Sequence, residues 1–387
     1  MKIALVIFHA DPARGGAERY TFDLASALSA RGNDVSLLAS SFGPRPDNVA
    51  SVRIDARGLT RIGRYERFLD SLDRYLADSS YDVVHAMLPV RHCDVYHPHA
   101  GVAAEAVASG HLKYDCPVAR AAARAGSVLN LKRRRFATIE KQLLSRTPGP
   151  VVICLSEYVR RTVAAHYPLP DAKLTTIYNG VDLKRFDPDA RPETRGQVRA
   201  QLGLTTNAVA GLIIAQDFHR KGLRQAIEAL ARVGDPKLNL VVVGKENPGT
   251  YRSMAEKLGV ADRVLFAGAT SDPCAFYSAA DFFILPTRHD PCSLVVLEAL
   301  AMGLPVISTI HNGACELMQD GREGIVLRDP SDIDSLTTAM RQMLDATARA
   351  RMRAACLQLR PALSNETHVD RVLEVYRNAR NISPLGV

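Results

Sequence analysis

The chain is 387 residues long, past the size at which a single hydrophobic core usually stops growing, so two domains of roughly 180 residues each are expected. With 47% apolar and 23% charged residues and a net charge of +8, the composition is that of a folded globular protein and excludes global disorder. No apolar run approaches the ~20 residues that span a bilayer, and the start Met1-Lys2-Ile3-Ala4 has no signal-peptide pattern, so a cytoplasmic protein is expected.

The first predicted strand covers residues 3–8 and leads through a loop ending in Gly15-Gly16 to a helix over 17–30 and a second strand over 35–39. Short β-branched runs at 83–85 and 151–154 are separated by helix-length segments, the pattern of crossover connections in a parallel sheet. Beyond Tyr178-Asn-Gly-Val-Asp182, a polar stretch with Pro188 and Pro192 reads as a linker. The alternation then resumes, with strands over 209–215, 238–243, 264–266, 282–285 and 305–308 and helices between them; after Pro330 the pattern is helical. The expected organisation is a Rossmann-like domain over 1–182, a linker over 183–204, a second Rossmann-like domain over 205–365, and a helix over 366–387 that could return to the first domain. The fold class is α/β, with two doubly wound parallel sheets whose carboxyl ends face an interdomain cleft, the place where open α/β sheets bind ligands.

The segment from Pro286 to Ser308 is a strand exit, a loop, a helix and the next strand. A helix starting near Ser293 offers unpaired N–H groups and a positive dipole end to a phosphate, which makes Cys292, Ser293 and Leu294 binding candidates. Asp290 precedes that helix and Glu298 lies more than a turn inside it, so the two carboxylates flank a phosphate and can hold hydroxyls of a sugar and a ribose. Read singly, Asp290 would cap the helix and Glu298 would be solvated.

This stretch resembles the Glu-x7-Glu motif of the retaining GT-B glycosyltransferases of family 4 type, with Asp290 at the first acid and Glu298 at the second. The resemblance implies that Asp290 holds donor-sugar hydroxyls at the catalytic centre and that Glu298 holds the nucleotide ribose. The shorter reach of Asp290 bears on which sugar is held. In Ala215-Gln-Asp-Phe-His-Arg-Lys-Gly222, Arg220 and Lys221 stand where a diphosphate would meet a helix terminus, and the family carries a basic residue there. By resemblance Lys221, with Arg220, neutralises the leaving diphosphate.

Gly15 and Gly16 resemble the family's glycine-rich N-terminal loop, whose backbone approaches the ligand; their spacing is not the Gly-x-Gly-x-x-Gly of a dinucleotide-binding dehydrogenase. In Asp94-Val-Tyr-His-Pro-His-Ala-Gly101, His99 is favoured over His97 as a donor-sugar contact, because His-Ala-Gly is similar to the family's His-x-Gly. Asp187-Pro-Asp189 matches a metal-holding Asp-x-Asp but lies in the proline-containing stretch and reads as solvated loop. No Cys-x-x-Cys pair occurs among the seven cysteines, so no metal and no cofactor beyond the nucleotide sugar is expected, and positive side chains with helix amides must meet the leaving charge.

The Gly15-Gly16 loop, Asp217 to Gly222, Glu256-Lys-Leu-Gly259 and Asp290 to Ser308 together are similar to bacterial lipopolysaccharide-core α-glucosyltransferases that use UDP-glucose. That kinship implies transfer of a hexose from UDP to a saccharide or glycolipid acceptor with retained anomeric configuration. Between His111 and Arg146 nine Lys/Arg stand against two acids, Asp115 and Glu140, so this stretch carries +7 of the net +8. Its partly amphipathic, basic pattern over 113–146 suits the anionic inner face of the cytoplasmic membrane. The rival readings are a sugar-nucleotide epimerase or phosphorylase on the same fold, and a non-catalytic nucleic-acid-binding protein, which the absence of tryptophan and of a recognised binding module argues against.

Overall fold

The computed structural model describes residues 1–108 and 131–382. They form two units, Met1–Tyr178 with His368–Val387, and Asn179–Thr367. Each is a Rossmann-like parallel sheet flanked by helices.

The strands of the first unit are β1 (Lys2–Val6), β2 (His9–Ala10), β3 (Asp34–Ala39), β4 (Ser41–Phe42), β5 (Ala50–Arg53), β6 (Val83–Ala86), β7 (Val95–Tyr96), β8 (Val151–Cys154) and β9 (Leu174–Thr176). Seven of them pair in the order β5-β3-β1-β6-β7-β8-β9, and β2 pairs with β4 beside them. Ile3, Ala4, Leu5 and Val6 are all fully buried, as a central parallel strand covered on both faces requires. Tyr65, Phe68, Leu69 and Leu72, on one face of helix Arg61–Ala77, pack against this sheet with Ile139 of helix Leu131–Leu144.

The second unit contains β10 (Val209–Ile214), β11 (Leu238–Val243), β12 (Val264–Gly268), β13 (Phe282–Ile284), β14 (Val306–Thr309) and β15 (Gly324–Leu327), ordered β12-β11-β10-β13-β14-β15 with every pairing parallel. The strand order reverses between β1 and β6 in the first sheet and between β10 and β13 in the second. Loops leaving the carboxyl ends on either side of such a reversal diverge and open a ligand crevice.

The structure differs from the sequence reading in two respects. Residues 183–204, read as a linker, lie within the second unit and include helix Thr194–Gln201, anchored by Arg195 and Arg199 on Asp281 at 2.7 and 3.2 Å. Strands β2, β4, β5, β7, β9 and β15 were not read from the sequence; β2, β4 and β7 have two residues each, too few to show a period. From His368 onward, helix Asn365–Ile382 clusters with the first unit, where Arg380 pairs with Asp82 at 3.1 Å and Arg31 with Asp370 at 2.5 Å.

Candidate functional site

The strand reversal in the second unit places the exits of β10 and β13 side by side. Lys221 closes the β10 loop and Asp290 lies in the β13 loop; their side chains form an ion pair, 11% and 10% exposed. Burial pushes the Asp290 carboxyl up, but the Lys221 charge and hydrogen bond, with Arg220, outweigh it and hold the group below the ordinary carboxylate range. Burial lowers the Lys221 ammonium from the usual lysine value, against the pull of Asp290. Arg220 closes the same loop by donating to the His289 carbonyl at 3.0 Å. Gly222 makes the approach possible: its φ is 81°, and a Cβ there would lie 2.3 Å from the Pro286 carbonyl oxygen.

Helix Leu294–Ala301 begins where the sequence places it, with Ser293 at its N-cap and no side-chain cap. The Ser293 amide is not turned to a ligand, however: it donates to Asn312 Oδ1 at 3.2 Å, and Asn312 Nδ2 donates to Ser308 at 3.1 Å. Asp290 is held by its own backbone, its N–H on the His311 carbonyl at 2.9 Å and its carbonyl accepting from Gly313 at 3.0 Å. The Cys292 carbonyl accepts from Asn179 Nδ2 at 3.0 Å, and burial pushes the Cys292 thiol up, so this cysteine acts through its backbone. Leu294 opens the helix as a half-buried apolar residue.

Glu298 is the single charged residue in Leu-Val-Val-Leu-Glu-Ala-Leu-Ala. It is half-buried, and the hydroxyl of the buried Tyr277 donates to its Oε2 at 2.8 Å. A carboxylate built into an apolar helix and aimed by a tyrosine is not the solvated residue that a single glutamate usually is. The roles of Tyr277 and Asn312 were not visible in the sequence, since each lies about twenty positions from its partner and in a different element.

In the first unit Gly15 caps helix Gly16–Ala30 and brings no side-chain acceptor to the first-turn amides. One turn on, the Tyr20 ring packs on His99 with centroids 4.4 Å apart, so helix Gly16–Ala30 and the predicted histidine meet. His99 is 8% exposed and His97 fully buried, neither being a surface loop residue. They join a cluster with His85, His368 and Tyr376: His85 Nδ1 is 2.6 Å from the Tyr376 hydroxyl, and the parallel His85 and His97 rings lie 5.4 Å apart. His368 Nδ1 donates to the Tyr178 carbonyl at 2.7 Å, leaving Nε2 to accept from the Tyr20 hydroxyl at 3.0 Å.

The loop that carries His97 and His99 is pinned at both ends by Glu140. This fully buried carboxylate accepts from the Tyr96 hydroxyl at 2.6 Å before the loop and from the Ala103 and Ala104 amides at 3.1 Å after it, and from Tyr167 at 2.7 Å. Sequence reading counted Glu140 only as one acid in a basic stretch. Much of that stretch, including Lys113, Asp115 and Cys116, lies outside the described residues, as does the Lys132 side chain. In the part described, Arg135 pairs with Glu66, which also meets Arg91 at 3.3 Å.

Asp187 accepts from the Asp189 amide at 3.2 Å within its turn and lies 3.8 Å from Arg360. Among the described residues no group of three or more His, Cys, Asp or Glu is arranged to hold a metal ion, and no helix is long and apolar enough to cross a membrane.

Residues 14–185 match the family model for Glycosyltransferase Family 4, and residues 195–356 match that for Glycosyl transferases group 1. Lipopolysaccharide glucosyltransferase WaaG of Escherichia coli (strain K12) is 25% identical over 336 residues, 85% of this chain and 86% of that protein. A GDP-mannose-dependent alpha-(1-6)-phosphatidylinositol monomannoside mannosyltransferase of Mycolicibacterium smegmatis is 35% identical over 213 residues, 52% of this chain and 54% of that protein. The crystal structure of WaaG, a glycosyltransferase involved in lipopolysaccharide biosynthesis, shares the fold with a TM-score of 0.82 at 23% identity, over 97% of this chain and 99% of that one. Anabaena HepE in complex with UDP-glucose shares it with a TM-score of 0.74 at 19% identity, over 98% of this chain and 100% of that one. Matched half by half by the two family models, the chain belongs to the two-domain GT-B glycosyltransferases of family 4 type.

Proposed function

We propose that this glycosyltransferase moves a hexose, glucose first among the candidates, from a UDP-sugar to a saccharide or glycolipid acceptor of the lipopolysaccharide-core kind, with retention at the anomeric carbon and without a metal ion or further cofactor. The observation that carries the reading is the Lys221–Asp290 ion pair at the β10/β13 reversal, flanked by Glu298 under Tyr277. Lys221 and Arg220 meet the leaving diphosphate, Asp290 holds sugar hydroxyls, Glu298 holds the ribose, and His99 contacts the sugar beside the Gly15-Gly16 turn. Lys221 is already charge-paired, so a diphosphate joins an existing pair and Asp290 stays ionised by sharing the ammonium. In the transfer the C1–O bond to the diphosphate breaks and a C1–O bond to the acceptor forms on the same face. The acceptor proton passes to the departing phosphate oxygen, and the preorganised positive groups stabilise the charge that develops there.

Support for glucose comes from the WaaG relative and for UDP from the fold shared with HepE in complex with UDP-glucose; the mannosyltransferase match, higher in identity over a shorter span, supports GDP-mannose as the second reading. Binding and turnover with UDP-glucose, GDP-mannose and ADP-glucose in EDTA separate them. Slow release of UDP from UDP-glucose, rising when acceptor is added, is expected. Turnover confined to GDP-mannose would replace the donor, and EDTA-sensitive turnover would overturn metal independence. The chain is further proposed to work at the cytoplasmic face of the membrane, the basic stretch 113–146 meeting anionic lipid. Co-sedimentation with anionic but not zwitterionic vesicles at low salt is expected, and equal recovery with both would remove the idea.

A further inference from the structure

At the amino ends of the strands of the second sheet, opposite the strand exits that carry the Lys221–Asp290 pair, there is a cavity of about 400 Å³, inside the range of small-molecule sites. Its floor is the entry to β13 and β14, Ala280-Asp281 and Leu304-Pro305, and its walls include Tyr277. Four arginines line it, Arg191, Arg195, Arg349 and Arg353, against one carboxylate, Asp281. Arg349 and Arg353 stand a turn apart on helix Ala346–Leu359, with Ala346 and Ala350 on the same stripe leaving room between the guanidinium groups.

The charges in this cavity are not balanced internally. Asp281 is consumed: Arg195 and Arg199 pair with it at 2.7 and 3.2 Å, and the Ala210 amide donates to it at 2.7 Å. Arg353 donates to the Met302 and Gly303 carbonyls at 3.2 and 3.4 Å, and Arg349 to the Met343 carbonyl. Carbonyls fix these side chains without neutralising them. Arg191 pairs with Asp272 at 2.6 Å, with both side chains about half exposed, and an ion pair of that kind exchanges for another anion at little cost. The result is a concave, solvent-open set of forked donors with surplus positive charge, the arrangement that suits the oxygens of a phosphate group.

We propose that this cavity binds a compact, phosphate-bearing anion at a second site, separate from the donor site and independent of which sugar nucleotide is used. The test is calorimetric titration of the full chain with inorganic pyrophosphate at 150 mM NaCl, on wild type, Arg191→Gln/Arg349→Gln, Ala350→Met and Lys221→Ala. Arg191 and Arg349 hold no β-strand in place, and Ala350→Met keeps every charge while filling the mouth. Saturable binding is expected in wild type and, for this site, in Lys221→Ala. It should weaken roughly tenfold or more in the double variant, which loses two charge-assisted donors, and likewise in Ala350→Met. The proposal is overturned if wild type shows no saturable binding in 150 mM NaCl, if Lys221→Ala, or Lys221→Ala/Asp290→Asn where the single variant does not stay folded by circular dichroism, abolishes it, or if both cavity variants bind as wild type does.

Discussion

Asp290, Glu298 and Lys221 stand out in the sequence because the role proposed for each depends on position within one short loop-helix unit. Their partners could not. Glu298→Ala is expected to weaken nucleotide binding about 10–100-fold by calorimetry, for the loss of charge-assisted bonds to two ribose hydroxyls, with little change in folding. Tyr277→Phe should cost less, and the double variant should be no weaker than Glu298→Ala alone, since the tyrosine acts through the glutamate. Additive losses would show that Tyr277 acts by another route. Lys221→Ala leaves the buried Asp290 without its counter-charge and should destabilise the chain by about 3–5 kcal/mol in urea unfolding. Adding Asp290→Asn should recover much of that loss while leaving donor binding impaired.

At the scale of elements, loops are held by groups far away in sequence. Gly222 starts helix Leu223–Val233 in a left-handed conformation with the Pro286 carbonyl against it. Gly222→Ala meets both a strained φ and a backbone contact, and a loss of about 2 kcal/mol or more in urea unfolding is expected. Glu140 ties helix Leu131–Leu144 to both ends of the histidine loop with three acceptor contacts and accepts a fourth from Tyr167. Glu140→Ala would leave several buried donors unpaired and should cost more than about 3 kcal/mol, whereas Glu140→Gln, keeping one carbonyl acceptor, should cost less. Equal stability of the alanine variant and wild type would show that water replaces the carboxylate.

At the scale of the whole molecule, the buried histidines couple folding to pH. Burial lowers His85 to about 3 and His368 to about 4, and holds His97 well below the ordinary histidine value. Unfolded, each titrates near ~6.5, so the unfolded chain binds more protons below that pH. The stability of the neutral cluster is fully present above about pH 6.5 and falls as pH drops toward the folded values, by up to about 1.4 kcal/mol per pH unit for each histidine. Urea midpoints between pH 7.5 and 4.5 measure this slope, and His368→Gln should flatten it.

The sequence by itself determined the α/β class, the strand-helix alternation of both halves and the identity of the acids and bases at the strand exits. Those signals are local: a hydrophobic period, a turn glycine, a carboxylate at fixed spacing along a helix. Only the tertiary structure decided that Lys221 meets Asp290, that Asn312 takes the Ser293 amide, that Tyr277 aims Glu298 and that Glu140 holds the histidine loop. It also turned a stretch read as linker into the wall of an arginine-lined cavity. Each of these joins elements that strand order brings together, and the order of strands in a parallel sheet is chosen by how crossover helices pack on its faces. No spacing along the chain records that choice.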